Sequence, residues 1–154
     1  MNKKITLALL LTVSASAAFA GPIEEQIRWR QSAYSYLSWN TSKIKKQVVD
    51  SPETFNKDYV AAAANAIAAV ANSGLGELYG EGTDKGIGWQ ESRLKPEFFQ
   101  KKEEVKTIAN SFNIAANELA KVAATGDAAT IKTAFGKVTE TCKSCHDLIR
   151  VKKE

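Results

Sequence analysis

The sequence contains very little histidine, methionine and cysteine. Its 154 residues include one histidine, one methionine and two cysteines. The methionine is Met1, and the histidine, His146, directly follows the second cysteine, Cys145. A structural zinc site needs four protein ligands, so Cys142, Cys145 and His146 are too few to form one.

Strand patterns, basic stripes and long apolar runs are also lacking. No segment shows the two-residue alternation of a strand, which excludes the βαβ setting of a thioredoxin-like Cys-x-x-Cys pair. No basic stripe carries interleaved aromatic residues, so we expect no nucleic-acid partner. The apolar run ITLALLLTV at residues 5–13 is too short to span a membrane.

The first twenty residues have the pattern of an export signal. Basic MNKK precedes the apolar run, and SASAAFA ends in an A-x-A-type cleavage site. We therefore expect a signal peptide at residues 1–20, cleavage before Gly21, and a single periplasmic domain at residues 21–154. Two of the 21 basic residues and none of the 17 acidic ones lie in this segment, so cleavage lowers the formal charge from +4 to +2.

Four segments carry apolar residues at alternating spacings of three and four, which predicts four helices. Pro52, Gly74 and Gly126 are expected to end the first three, and Asp127 is a natural N-cap for the fourth. The sequence therefore predicts an all-α fold, an antiparallel up-down-up-down four-helix bundle. The expected segments are residues 22–49, 56–73, 102–125 and 128–149.

Residues 75–100 separate the second and third helical segments and look irregular. Five of the nine glycines fall between Gly76 and Gly88. A loop of this length in a compact domain is usually functional or disordered. Trp89, Phe98 and Phe99 argue against disorder, so the loop is expected to contribute to a site.

The segment ETCKSCHDLIR, residues 140–150, carries the Cys-x-x-Cys-His signature of covalent c-type haem attachment. On a helix Cys142 and Cys145 share a face, and His146 projects from nearly the same edge. A disulfide across two intervening residues would add little stability, and free thiols are a liability in an oxidising compartment. We therefore expect one haem c, joined to Cys142 and Cys145 through thioethers, with His146 as the iron ligand.

The rest of the chain offers no usual second axial ligand. Histidine and methionine serve that role in electron-transfer haems, and Met1 belongs to the expected signal peptide. We therefore expect a five-coordinate high-spin iron that binds small gases such as NO and CO, transfers electrons, or does both. Lysine, tyrosine or the new N-terminal amine remain possible ligands, so a six-coordinate low-spin electron carrier is the alternative. No enzymatic activity is expected, because a haem peroxidase normally needs a distal histidine.

Three polar side chains are further candidates for haem contacts. Arg30 and Tyr34 fall on the core-facing stripe of the first segment. If a haem fills the centre, Arg30 pairs with a propionate and Tyr34 covers the distal face; otherwise both extend to solvent. Arg150 lies one turn after His146, where a cation weakens the donation of the imidazole to iron, unless it is a solvated tail residue.

These residues resemble the cytochrome c-prime (cytochrome c′) family, the high-spin class II c-type cytochromes. The resemblance covers essentially the whole chain after the signal peptide and includes the C-terminal position of the haem motif. It implies a left-handed bundle, an antiparallel homodimer, NO and CO binding, and a role in NO detoxification or electron transfer with an unidentified periplasmic partner. The matching segments include RQSAY, LSWN, AAAANAIAAVANSGLGELYGEGTDKG, SRLKPEFF and AFGKVTETCKSCHDLIR.

The resemblance also assigns roles outside the haem motif. Arg30 and Gln31 match positions that contact the haem propionates, and Tyr34 matches a variable residue on the distal face. Glu91 and Ser92 match loop positions at the haem edge. Low-spin relatives use a first-helix methionine as the sixth ligand, and its absence here favours the high-spin branch.

Overall fold

A computed structural model describes residues 22–152, so the expected signal peptide lies outside the described residues. Four long helices form a bundle in which each helix packs against the next along the chain, and the first also contacts the fourth. The described range contains no strand, only two isolated bridges. The predicted four-helix bundle is therefore confirmed. The helices are α1 (Ile23–Lys45), α2 (Lys57–Ala71), α3 (Lys102–Thr125) and α4 (Ala128–Ile149).

The helix ends follow local side-chain chemistry. The Asp127 side chain accepts a hydrogen bond from the backbone N–H of Thr130 at 2.8 Å, which caps α4 as predicted. Gly74, shortly after α2, has a φ of +79°, a conformation that favours glycine. The first helical segment continues past α1 as a π-helical turn at Lys46–Asp50, where the hydrogen-bond pattern widens.

The apolar side chains form two clusters rather than one. The larger fills the centre of the bundle and contains Leu37, Ile67, Leu119 and Val138, among others. The smaller cluster contains Leu94, Phe98 and Ile149 and lies between the loop and the end of α4. Cys142 packs against the larger cluster and Cys145 against the smaller one. The cysteines therefore lie where the two apolar clusters approach each other.

The long connection between α2 and α3 is folded against α1. It includes short 3₁₀ turns at Leu75–Leu78 and Pro96–Gln100. At Gly88 the approach is so close that an added Cβ would lie 2.8 Å from the backbone nitrogen of Arg28. Only glycine fits there without displacement, so the loop can pack directly against the backbone of α1.

No helix within residues 22–152 is long and apolar enough to cross a membrane.

Candidate haem site

The two thiols of the haem motif are free and partly buried near the end of α4. Burial raises the pKa of the Cys145 thiol to about 11, with a smaller contribution from Cys142. Burial also raises the pKa of Cys142. Both thiols are therefore protonated at pH 7, and both lie beside apolar side chains, which is compatible with an apolar ring next to them.

The imidazole of His146 is exposed and has a cationic neighbour. The Arg150 guanidinium lies 3.5 Å from its Nδ1 atom, a contact at the outer limit of hydrogen bonding. Burial lowers the pKa of His146, and the charges of Arg150 and Arg93 lower it further. The ring is therefore mainly neutral at pH 7, which is the form that ligates metals.

A short segment of the loop, residues 93–95, pairs with residues 149–151 and holds the end of α4 in place; we call this segment the strap. The backbone N–H of Lys95 donates to the Ile149 carbonyl at 2.8 Å, and the N–H of Val151 donates to the Arg93 carbonyl at 2.9 Å. Leu94 and Arg150 form the isolated bridge between these two bonds. The strap fixes the backbone of Arg150 and thereby supports the position of its side chain beside His146.

Arg30 is buried on α1, with only 6% of its surface exposed. Its guanidinium donates to the Leu78 carbonyl at 3.0 Å, and to the hydroxyl and carbonyl of Thr83 at 3.0 and 2.9 Å. It also donates to the Ser92 hydroxyl at 3.1 Å, so the structure brings two predicted site residues together. Burial lowers the pKa of Arg30. All of these acceptors are neutral, so none of them is an anion that would balance the charge of Arg30.

Gln31 lies on α1, and Glu91 lies in the loop that packs against this helix. The side-chain carbonyl of Gln31 accepts the Trp89 backbone N–H at 2.7 Å, and its amide donates to the Gln90 carbonyl at 2.8 Å. Gln31 therefore fixes the loop to α1. Glu91 is exposed, and its backbone forms the isolated bridge with Ile87. Their predicted contacts with the haem remain predictions.

Tyr34 faces the cysteines and is held by a residue that the sequence pattern did not identify. The hydroxyl of Tyr79 donates to the hydroxyl of Tyr34 at 2.9 Å. Tyr34 is close enough to Cys142 and Cys145 for their charge states to influence its pKa. Although Tyr34 exposes 37% of its surface, burial around the hydroxyl raises its pKa, and the hydrogen bond with Tyr79 partly offsets this.

Tyr79 is itself held from two directions. Its ring stacks on Phe98 with centroids 5.0 Å apart. The Arg30 guanidinium carbon lies 4.5 Å from the centre of the same ring, a favourable cation–π distance. Burial, followed by the neighbouring Tyr34, raises the pKa of Tyr79 well above its usual value. The sequence signal for this residue was a single large aromatic side chain in a glycine-rich stretch, LGELYGEG.

The chemistry of these residues fits a covalently attached haem. Two free thiols lie three residues apart on one helix, beside apolar clusters that match a porphyrin face. The neutral imidazole of His146 has a lone pair for iron. The buried guanidinium of Arg30, with neutral acceptors only, suits a propionate, since a buried charge is stabilised by a charged partner.

Comparison with known proteins gives a consistent result. The family model described as "Cytochrome C′" matches residues 25–150. The cytochrome c′ of Allochromatium vinosum is 53% identical over 146 residues, which cover 95% of this chain and 92% of that protein. The cytochrome c′ of Rhodocyclus tenuis is 54% identical over 129 residues, covering 84% of this chain and 96% of that protein.

Solved structures agree with these sequence relatives. A cytochrome c′ described as having an unusual ligand-controlled dimer dissociation is 53% identical, with a TM-score of 0.80. The match covers 85% of this chain and 98% of that one. The cytochrome c′ of Thermochromatium tepidum is 47% identical, with a TM-score of 0.79 and the same two coverages.

The haem prediction is confirmed at the level of the family. Cytochromes c′ carry covalent haem c, and this chain supplies the two cysteines of the attachment motif. The roles of the individual residues around the motif remain predictions. Because the family model spans most of the chain and two relatives are more than half identical to it, the chain belongs to the cytochrome c′ family.

Proposed function

We propose that this chain binds NO and CO at a five-coordinate, high-spin haem iron, with His146 as its only protein ligand. The proposal rests on the side chains that could ligate the iron: the sequence contains no histidine besides His146 and no methionine besides Met1. Two tyrosines, Tyr34 and Tyr79, lie close enough to the thiols for cysteine charge to influence their pKa values. Their hydroxyls are hydrogen-bonded to each other, and burial raises the pKa of both phenols, which disfavours the phenolate form that iron binds.

When bound, the haem supplies an iron with one free coordination position for a diatomic gas. The residues of the chain control access to that position. Tyr34 covers the distal side and is restrained by its hydrogen bond to Tyr79. Arg30 keeps the loop that carries Tyr79 against α1 through its bonds to Leu78 and Thr83. Selectivity then depends on how easily a ligand displaces the Tyr34 ring.

The proximal side is expected to weaken the iron–histidine bond. Arg150 lies 3.5 Å from Nδ1 of His146, so Nε2 is the ring nitrogen that would hold the iron. A carboxylate at that position would increase the basicity of the imidazole, and a cation has the opposite effect. Arg150 is therefore the residue that would tune the bond between His146 and the iron.

The proposal includes a homodimer that contacts through α1. Tyr36 and Trp39 expose 48% and 55% of their surfaces on this helix, with ring centres 5.7 Å apart. The structural relative at 53% identity is described as having ligand-controlled dimer dissociation. Since α1 also carries Tyr34, a ligand that displaces Tyr34 acts on the same helix as these aromatic residues.

We further propose that residues 1–20 are removed on export and that the domain works in the periplasm as a non-enzymatic haem protein. Electron transfer is the second role, and the cationic side chains of Arg93 and Arg150 close to His146 favour it because they can attract an acidic partner protein. Absorption spectra of the reduced protein with and without CO test the main proposal. A marked spectral change supports it, and a low-spin spectrum insensitive to CO rejects it in favour of a sixth protein ligand.

A further inference from the structure

We propose that the basic surface around His146 docks an acidic patch of a partner electron-transfer protein. This surface, the basic collar, consists of cationic side chains from the strap and from the end of α4. The proposal rests on the proposed attachment of haem at this end of α4, but not on gas binding. The collar contains Arg93, Lys95, Lys143, Arg150 and Lys152.

The strap builds the basic collar from two distant parts of the sequence. Backbone hydrogen bonds pair residues 93–95 with residues 149–151. The side chains strengthen this pairing, because the Arg93 guanidinium donates to the Val151 carbonyl at 2.5 Å and the Lys95 ammonium donates to the Asp147 carbonyl at 3.0 Å. Both cations bind carbonyl oxygens, which position their charges; the carboxylate of Asp147 is close enough to Lys95 for that cation to contribute to lowering its pKa, after Lys143 and Lys152.

Positive charge in the collar greatly exceeds negative charge. Within residues 22–152, Asp147 is the only carboxylate that forms an ion pair with a collar residue, Lys143, at 2.6 Å. The field of Arg93 contributes to lowering the pKa of Arg150, after burial, which shows that like charges are held close together. A partner surface with several carboxylates would relieve this repulsion.

The position of the collar favours a protein partner over a lipid surface. The collar lies beside His146, the expected iron ligand, since Arg150 contacts the imidazole and Arg93 contributes to lowering its pKa. A redox protein docked there would be close to the proposed haem. Membrane-surface binding commonly adds exposed tryptophan or tyrosine as anchors. The three tryptophans, Trp29, Trp39 and Trp89, are all exposed and belong instead to α1 and the loop that packs on it.

The first test uses small redox reagents of opposite charge on the haem-loaded protein. One reagent is the anionic iron(II)–EDTA complex, and the other is the cationic hexaammineruthenium(II) complex. Each gives one electron to the ferric haem, so the metal of the reagent becomes trivalent and the haem iron becomes ferrous. With the anionic reagent, the reduction rate is expected to fall at least about threefold as salt rises, because steering is screened. With the cationic reagent the rate is expected to rise. Equal salt dependence for both reagents would overturn the proposal.

Charge variants locate the effect. Lys152→Glu reverses one collar charge, and Arg93→Gln removes another while keeping an amide that can donate to Val151. Both are expected to slow reduction by the anionic reagent at 0.1 M salt. The matched control is Lys132→Glu, about 21 Å from His146 along α4, beyond the screening length of about 10 Å. If all three variants behave alike, the collar does not steer partners.

A binding assay provides a readout independent of electron transfer. Calorimetry with poly-L-glutamate is expected to detect binding to the wild type and to Lys132→Glu, with at least about threefold weaker binding to Lys152→Glu. Binding to phosphatidylglycerol vesicles without binding to polyglutamate would assign the collar to a membrane and overturn the proposal. Loss of CO binding with these charge effects intact would reject the gas-binding function and leave the docking surface standing.

Discussion

The hydroxyl of Tyr79 donates a hydrogen bond to the hydroxyl of Tyr34 across 2.9 Å, joining the long loop to α1 beside the haem cysteines. Tyr34 is the residue expected to cover the distal face. Tyr79 is fixed by Phe98 and Arg30, so its hydroxyl provides a firm support for a side chain that must move when a ligand enters. The distal cover is therefore a pair of tyrosines rather than one.

Removing the hydroxyl of Tyr79 should speed ligand entry. Tyr79→Phe keeps the ring stacked on Phe98 and deletes the bond to Tyr34. A neutral hydrogen bond contributes about 1 kcal/mol, so the CO association rate should rise about fivefold if the bond breaks during entry. Stopped-flow mixing of the reduced protein with CO measures this rate.

Two further variants delimit that effect. Tyr34→Ala removes the cover itself and should accelerate entry more than Tyr79→Phe does. Tyr36→Phe, on the same helix but with an exposed side chain, should leave the rate unchanged. An unchanged rate in Tyr79→Phe together with a faster Tyr34→Ala would show that Tyr34 acts without support from the loop.

Arg30 should contribute strongly to stability because it organises the loop. Arg30→Met removes the donor to the Leu78 carbonyl and to the Thr83 hydroxyl, whereas the Thr83 carbonyl keeps the Ser92 hydroxyl as a donor. Losing donors to buried polar groups is expected to lower the free energy of unfolding by about 3 kcal/mol, measured by denaturant titration. The control Arg28→Met removes only an exposed cation–π contact with Trp89 and should cost about 1 kcal/mol or less. Equal costs for both variants would contradict this role of Arg30.

Stability should decrease in alkaline solution because of the tyrosine pair. Burial raises the pKa of Tyr34 and Tyr79 in the folded protein above the value of about 10 in the unfolded chain. The folded state therefore keeps protons that the unfolded state loses, and stability falls as the pH rises above about 10. Denaturant unfolding between pH 8 and 11 tests this. The variant with phenylalanine at both positions should show a flatter decline, and an unchanged slope would contradict the assignment.

His146→Ala should separate haem attachment from iron ligation. Both cysteines remain, so the mass of the intact protein should still include a covalent haem, while the absorption spectrum changes through loss of the imidazole. Cys142→Ala with Cys145→Ala provides the complementary control and should lose the covalent mass. A His146→Ala protein with an unaltered spectrum would show that another residue holds the iron.

The helices were predictable because their information is local and periodic. The range Lys102–Thr125 of α3 agrees with the expected segment, and α4 begins directly after the predicted cap Asp127. The haem motif was equally accessible, since its cysteines and histidine lie within one turn and a half of a single helix. In both cases a few neighbouring residues determine the structure.

The contacts of the loop were not predictable in the same way. The sequence predicts a propionate as the partner of Arg30, and the structure shows its guanidinium donating to two carbonyl and two hydroxyl oxygens of Leu78, Thr83 and Ser92. Irregular segments have no periodicity that indicates which side they bury. Tyr79 and Thr83 acquire their roles only when the loop folds back over α1.

Resonance Raman spectroscopy of the reduced protein tests the central claim, that the iron has one protein ligand, most directly. We predict the marker bands of five-coordinate high-spin ferrous haem together with an iron–histidine stretching band, lost in His146→Ala. Addition of CO should replace them with the bands of a six-coordinate low-spin adduct. Six-coordinate low-spin bands before any ligand is added would contradict the account and show that the protein supplies a sixth ligand, such as a lysine or the N-terminal amine.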